Sequence, residues 1–336
     1  MERFDLVVVG CGPAGAMAAR AAAERGLSVM IVDRRRSVGM PPRSAGYVPQ
    51  WIQKLADLEA CAILQSVDGI RLYESGEPCR EIKAPGYVLD RTRFDKTLAI
   101  CALQAGADLA NALVLRRNGE RVVGRRNGLE AEFEGDVILG ADGPGSVVGR
   151  SIGQVNRGFL ATMQYEVGLR CDETWSELHR NGSEGAWTWF VPCNRTARVG
   201  VGLDPSQARH LRDRLTRFLG QLADDGRVYR DGILACTGGP VPIDGTPESL
   251  HDDRVLLAGD AAGISDPLSG AGIAAAVVSG TIAGSLVGEA FSSGDRARLG
   301  DYEGEIKKRI PPFEGYASAG SWSMADRMER VAEWCG

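Results

Sequence analysis

Histidine is scarce in this chain. His179, His210 and His251 are the only three among 336 residues, and each lies in a polar, exposed-looking stretch without a partner at triad or ligand spacing. No metal site is expected. The eight cysteines (11, 61, 79, 101, 171, 193, 236 and 335) include no CxxC pair and read as reduced, mostly buried thiols. An excess of positive charge is also missing: the formal net charge is -5, which gives no basic face for nucleic acid. The local cluster Arg34-Arg35-Arg36 reads as a solvated turn. No apolar run reaches 18 residues; Gly272 to Val287 comes nearest and is interrupted by Gly and Ser. Any membrane contact is therefore expected to be peripheral. Met1 to Asp5 run straight into a strand with no signal-like stretch, so the expected location is cytoplasmic, with at most peripheral contact at the inner membrane surface.

What is present is the profile of a globular chain, 44% hydrophobic and 25% charged. The run Leu6-Val7-Val8-Val9 predicts a buried parallel strand, Pro13 to Arg25 an Ala-rich helix stopped at Gly26, and Leu27 to Asp33 a second strand. Gln50 to Leu64 is expected to be helical, Ile70–Tyr73 and Gly86–Leu89 to be strands about a polar turn, and Phe94 to Ala105 to be a helix. Turn pairs at Asn118-Gly119 and Asn127-Gly128 predict a β-meander between 107 and 139. Residues 157 to 243 alternate strand-like runs with one charged helix, Gln207 to Leu222. Val255 to Ala258 then returns to the buried-strand idiom, and Gly272 to Phe291 reads as a long helix of small residues. The expected fold class is α/β, a Rossmann-type domain with a β-meander plus an inserted, mainly antiparallel β domain. The expected boundaries are 1–68, 90–156 and 250–292 for the first domain, 69–89 and 157–249 for the second, and 293–336 for a short C-terminal helical segment.

Three stretches carry chemistry. Gly10-Cys11-Gly12-Pro13-Ala14-Gly15 lies between strand and helix, where glycines give a tight turn, close backbone approach to a pyrophosphate and close helix packing. The helix N-terminus adds unpaired N–H groups for phosphate. Asp33 stands where an acid would hold ribose hydroxyls. Leu139-Gly140-Ala141-Asp142-Gly143 and Leu257-Ala258-Gly259-Asp260 each place an aspartate at the C-terminal end of a buried strand, where ligands of open α/β sheets bind. Singly, each aspartate is equally readable as a helix cap.

In this order, with Leu89-Asp90-Arg91 and Phe94-Asp95 between them, these motifs resemble the flavoprotein superfamily of aromatic hydroxylases, flavin-dependent halogenases and geranylgeranyl reductases. The resemblance covers nearly the whole chain and implies FAD as cofactor. By it, Gly10, Gly12, Pro13, Ala14, Gly15, Asp33, Arg34, Arg43, Ser44, Ala45, Arg91, Leu115, Asp142 and Gly143 would contact FAD. So would Gly259, Asp260, Pro267, Gly270, Ala271, Gly272 and Ile273, with the 267–273 loop along the flavin ring and a helix start aimed at the reducible end. The geranylgeranyl reductase branch is the most similar, on three segments: Val38 to Ala45, Ser146 to Gly153, and Trp187-Thr188-Trp189-Phe190-Val191-Pro192 followed by Val199-Gly200-Val201-Gly202. Ser44 stands where archaeal members usually carry cysteine, so no thiol acts at that position.

That branch implies hydride transfer to a carbon–carbon double bond of an isoprenoid or other apolar substrate, with electrons from NAD(P)H or ferredoxin. Trp187, Trp189 and Pro192 are expected to line the substrate channel, although two tryptophans alternating on a strand are equally readable as core. Tyr47 is the candidate proton donor. Two other enzyme readings are an aromatic monooxygenase and a halogenase. The halogenase Trp-x-Trp-x-Ile-Pro motif differs from residues 187–192 only at Val191, but the lysine that halogenases need is absent from Gly69–Tyr73. A non-catalytic prenyl-binding escort protein is the reading from another class, and the intact Gly10, Gly12, Gly15, Asp33 and Asp260 argue against it.

Overall fold

A computed structural model describes residues 2–181, 186–247, 249–265, 272–310 and 333. Strand β1 (Arg3–Val9), helix α1 (Pro13–Ala23) and strand β2 (Val29–Asp33) open the chain. A short strand β3 (Tyr47–Pro49) precedes the long hairpin β4 (Ile63–Glu74) and β5 (Glu77–Leu89). Helix α2 (Arg91–Gln104) leads to β6 (Asp108–Asn111) and the meander β7 (Leu113–Asn118), β8 (Arg121–Arg126) and β9 (Leu129–Gly140). After the short helix α3 (Val147–Ser151) come β10 (Phe159–Leu169), β11 (Trp175–Asn181), β12 (Ala186–Cys193) and β13 (Thr196–Leu203). Helix α4 (Leu211–Asp224) and the edge strand β14 (Val228–Pro242) complete this region. The chain returns through β15 (His251–Asp252) and β16 (Val255–Leu257) to α5 (Ile273–Ser293) and α6 (Tyr302–Arg309).

These strands make two sheets. In the first, β16, β9, β1, β2 and β6 run parallel in that order, β15 pairs antiparallel with β16, and the meander extends β9. Leu6, Val7 and Val8 are fully buried, as a strand covered on both faces requires. In the second sheet the order is β14, β10, β13, β12, β11, β4, β5 and β3, antiparallel except for the β11–β4 pair. Helix α4 seals one face of it, placing Leu215, Phe218 and Leu222 against Phe190, Val199 and Val201. The opposite face carries Trp187 and Trp189.

The expected fold class is the one observed. The helix expected over Gln50 to Leu64 is not: residues 50–54 and 60–62 make separate 3₁₀ turns, neither with a side-chain cap, and Ile63 already pairs with Leu89. Pairing along the hairpin outweighs the local helical preference. The second sheet therefore begins at 63 and also takes β3, both inside the stretch 1–68. His179 is likewise more enclosed than expected, stacked on Tyr73 at 4.2 Å and bonded to Glu177 at 3.1 Å.

Helix α5 is long and apolar enough to span a membrane, yet 83% of its apolar window is buried inside the structure. It packs on α1 with backbone almost touching backbone. A Cβ added at Gly280 would lie 2.1 Å from the Ala14 carbonyl oxygen, and one at Gly284 would lie 2.1 Å from that of Ala18. Gly284→Val is therefore expected to cost about 1–3 kcal/mol or more by forcing the helices apart. Gly304→Ala, in α6 where an added Cβ meets nothing within 4 Å, is expected to gain about 0.5–1 kcal/mol. Thermal or denaturant unfolding of the two variants checks the contrast.

Candidate functional site

A cleft of about 250 Å³ lies over the C-terminal ends of the parallel strands. Its walls come from Val9, Gly10 and Gly12 after β1, Asp33 to Arg35 after β2, Ala141 to Gly145 after β9, and Asp260 after β16. Gly39 to Arg43 and Arg91 close one side.

At its floor the β1–α1 turn depends on two close approaches. Gly10 has φ +104°, and a Cβ there would lie 2.2 Å from the Ala141 carbonyl oxygen; a Cβ at Gly15 would lie 1.9 Å from that of Gly10. Helix α1 starts at Pro13 with no side-chain cap from Gly12 and no acid in its first turn. Its first N–H groups are thus left for a ligand, and a Cβ on Gly12 would meet nothing within 4 Å. Pro13, Ala14 and Gly15 are buried in the helix and shape this end without lining the cleft. The arrangement fits the pyrophosphate of a dinucleotide.

Asp33 is buried and fully engaged. Its Oδ2 accepts the Cys11 N–H at 2.6 Å and Arg35 Nη2 at 2.9 Å, while Oδ1 accepts the Arg35 N–H at 2.7 Å and Nε at 3.1 Å. Burial opposes ionisation, but the bonds from Arg35 outweigh it and hold the carboxyl below the ordinary aspartate range. Beside it, burial pushes the Cys11 thiol up to about 12, so it stays protonated and inert. Arg35 was not singled out from the sequence beyond the Arg34–Arg36 cluster; the spacing Asp33-x-Arg35 was its signal.

The Leu89–Asp95 motif now has a physical account. Asp90 caps α2, accepting the N–H groups of Thr92 and Arg93 at 3.0 and 3.1 Å. Arg91 forks onto buried Asp95 at 3.0 and 3.1 Å and donates Nη1 to Ser44 Oγ at 2.7 Å. Asp95 is the second residue to which the sequence alone assigned no role; its i, i+4 spacing from Arg91 was the available clue.

The two strand-end aspartates differ. Asp142 lines the cleft but spends its carboxylate on the next turn, accepting the Ser146 hydroxyl at 2.5 Å and the Val147 N–H at 2.6 Å. Burial raises its pKa against these bonds. The cap of α3 is Ser146, whose hydroxyl accepts the Gly149 N–H at 2.8 Å, and Asp142 holds that cap in place. Asp260 has no bond to its carboxylate among the described residues. Burial pushes its pKa up to about 6, with the charge of Arg91 pulling the other way. Gly259 beside it has φ +59° and donates its N–H to Ser279 Oγ at 3.1 Å.

Of the other expected contacts, Arg34, Arg43 and Gly143 line the cleft. Leu115 does not: it is 45% exposed on β7, and Leu113 and Val114 stand at the cleft instead. Gly272 and Ile273 start α5, with the Gly272 Cβ position 3.1 Å from Asp260 Oδ1. Pro267, Gly270 and Ala271 lie outside the described residues. Ser44 and Ala45 sit next to the cleft, where Ala45 and Tyr47 pack in one cluster with Trp189.

That cluster joins the cleft to the face of the second sheet opposite α4. Trp189 pairs with Gly200, and its indole lies over that glycine: a Cβ there would be 2.0 Å from the ring. Gln164, also paired with Gly200, is next in the row. Trp187 is 2% exposed and packs with Leu72, Ile82 and Leu178. Both indole N–H groups and Gln164 Oε1 are buried without a partner among the described residues. Pro192 follows on the same strand. The Tyr47 hydroxyl donates to the Ala84 carbonyl at 3.1 Å.

Comparison with known proteins adds to this geometry. The FAD dependent oxidoreductase family profile matches residues 5–44. Digeranylgeranylglycerophospholipid reductase of Methanocella arvoryzae is 31% identical over 92% of this chain and 84% of its own. That of Methanothrix thermoacetophila is 36% identical over 87% and 80%. The chain belongs to this reductase family. It is an FAD-dependent oxidoreductase. A geranylgeranyl bacteriochlorophyll reductase-like protein from Thermoplasma acidophilum superposes with a TM-score of 0.82 at 27% identity, covering 99% of this chain and 91% of that one. A flavin-dependent brominase shares the fold at a TM-score of 0.76 and 18% identity, covering 99% and 94%.

Asp260 gives a test with a definite sign. Its raised pKa means that in the FAD-free protein the unfolded chain loses this proton first, so this residue's contribution to stability is fullest below about pH 4 and is lost as pH rises through about 6. The loss at pH 8 is up to roughly 3 kcal/mol. Asp260→Asn is expected to melt higher than wild type at pH 8 and alike at pH 4 when both are stripped of flavin, while retaining FAD less well.

Proposed function

We propose that the chain reduces carbon–carbon double bonds in the isoprenoid chains of a lipid, as the names of its relatives suggest. In this reading Gly10 to Gly15 hold the pyrophosphate of FAD, Asp33 the adenosine ribose, and Arg91 and Asp260 the phosphate and ribityl part. Residues 1–68, 90–156 and 250–292 serve the cofactor, and 69–89 with 157–249 serve the substrate. Bound FAD, once reduced, supplies a hydride to the double bond.

The observation that carries the reading is the face of Trp187 and Trp189. It adjoins the Ser44–Tyr47 segment, whereas the other face of the same sheet is sealed by α4. Apolar and aromatic residues on a wall beside the cleft suit an alkene chain and keep water from the reacting carbons. The second hydrogen arrives as a proton. Tyr47 is the proposed donor, held by Ala84 until substrate takes that place.

Two measurements test this. Protein reduced anaerobically with dithionite should be reoxidised by a lipid bearing geranylgeranyl chains and should yield the saturated chain. Reoxidation only by oxygen with a phenolic substrate would instead establish a monooxygenase and sink the proposal. Tyr47→Phe should lower the rate of alkene-dependent reoxidation by about 10²–10⁴ with an unchanged flavin spectrum. An unaltered rate would assign the proton to another group.

A further inference from the structure

The segment Ser44–Gly46 is gripped from both sheets. From the cofactor side, Arg91 Nη1 reaches Ser44 Oγ at 2.7 Å. From the substrate side, Gln164 Nε2 donates to the Ser44 carbonyl at 3.1 Å and to Thr237 Oγ1 at 3.1 Å. Arg198, on β13, donates Nη1 to the Ala45 carbonyl at 2.7 Å and to the Leu89 carbonyl at 3.0 Å. This last contact needs a glycine at position 46, where a Cβ would lie 2.3 Å from Arg198 Nη1.

Arg198 is unusual in its company. It is 6% exposed, and among the described residues no carboxylate stands within 4.0 Å of its guanidinium. Glu166, directly opposite on β10, is only half-buried and accepts the Thr196 hydroxyl at 3.1 Å. Two neutral carbonyls orient the guanidinium without cancelling its charge. A cation buried without a counter-charge is costly, and a ligand that brings negative charge offsets that cost.

We infer that Arg198 positions the Ser44–Gly46 segment and supplies a buried positive charge, outside any ion pair among the described residues, that makes the protein bind reduced FAD in preference to oxidised FAD. The inference rests on the proposed contact of Ser44 and Ala45 with the cofactor. Two-electron reduction of a flavin at neutral pH takes up two electrons and one proton, so the reduced form carries one more negative charge. A fixed cation in a site of low dielectric constant favours that form. Arg198 is in this sense a positioning residue, acting through backbone and field with no part in proton transfer.

The test is the dissociation constant of FAD in its oxidised and its reduced form, measured for wild type, Arg198→Gln and Arg198→Lys at one ionic strength. Arg198→Gln should weaken the reduced form at least tenfold more than the oxidised form, which is about 30 mV of lowered potential for a two-electron couple. Arg198→Lys should keep the wild-type ratio within about twofold, because it retains the charge, while binding both forms more weakly. Equal weakening of both forms in Arg198→Gln would reduce the residue to a strut and overturn the inference. Should that variant not fold, Arg198→Met decides, since it fills much of the same volume without charge: a tenfold loss of the preference for the reduced form supports the charge role, and an unchanged ratio overturns it. Wild type that binds neither form of FAD overturns the cofactor assignment itself, whereas wild type that binds both, with an unchanged ratio in Arg198→Gln, overturns this inference alone.

Discussion

Helices α1 and α5 meet where Gly280 and Gly284 leave no side chain between the two backbones, and the cofactor cleft depends on that contact. Its phosphate-binding turn comes from residues 10–15 and its Asp260 wall from a stretch some 245 residues later. Nothing covalent brings them together. The approach of Gly280 to the Ala14 carbonyl, and of Gly259 to Ala14, where an added Cβ would lie 3.1 Å from the Ala14 Cβ, fixes their separation. Tyr302 reinforces the arrangement from α6, its fully buried hydroxyl donating to the Leu257 carbonyl at 2.8 Å. A cleft assembled in this way is as rigid as its helix packing, because close-packed interiors transmit displacement.

The electrostatics of the cleft follow a division of labour among its carboxylates. Asp33, Asp95 and Asp142 are already supplied with donors, from Arg35, from Arg91 and from the turn after β9. Asp260 is not. Burial has raised its pKa to about 6, the mark of a group kept short of partners. Such a group destabilises the empty protein and is satisfied when a ligand hydroxyl arrives to donate to it, a pattern common at binding sites. The arginines obey the same logic in reverse. Arg35 and Arg91 are paired with acids, and among the described residues Arg198 is held by neutral carbonyls alone.

The cofactor half was legible in the sequence because its constraints are local. A turn that must bend within three residues and admit a helix against a strand demands glycines at fixed spacing, and Gly10, Gly12 and Gly15 record that demand directly. Periodicity likewise gave β1, α1, β9 and α5, whose apolar patterns are set by burial on both faces. The failures were non-local. Residues 50–64 carry a helical pattern, but the chain there is short of caps and is drawn into β4 by pairing with Leu89, 26 residues downstream of Ile63. The roles of Arg35, Asp95 and Arg198 depend on who stands opposite them in the fold, which no short window contains. The alternation of Trp187 and Trp189 showed that they share a face, while leaving open which one.

That choice of face is decided by what packs elsewhere. The amphipathic α4 offers Leu211, Leu215, Phe218 and Leu222 as one stripe and so claims the side of β12 and β13 that carries Phe190, Val199 and Val201. The tryptophans are left on the other side, where Gly200 removes the one side chain that would lift the Trp189 indole off the sheet. The result is a flat aromatic floor running to Gln164 and the Ser44–Gly46 segment. Covering one side of a sheet with a helix thus leaves the tryptophans on the other, and the polar grip of Arg198 and Gln164 on the Ser44–Gly46 segment holds that side against the cleft. The placement of the tryptophans and the closure of the cleft are in this way consequences of a single packing arrangement.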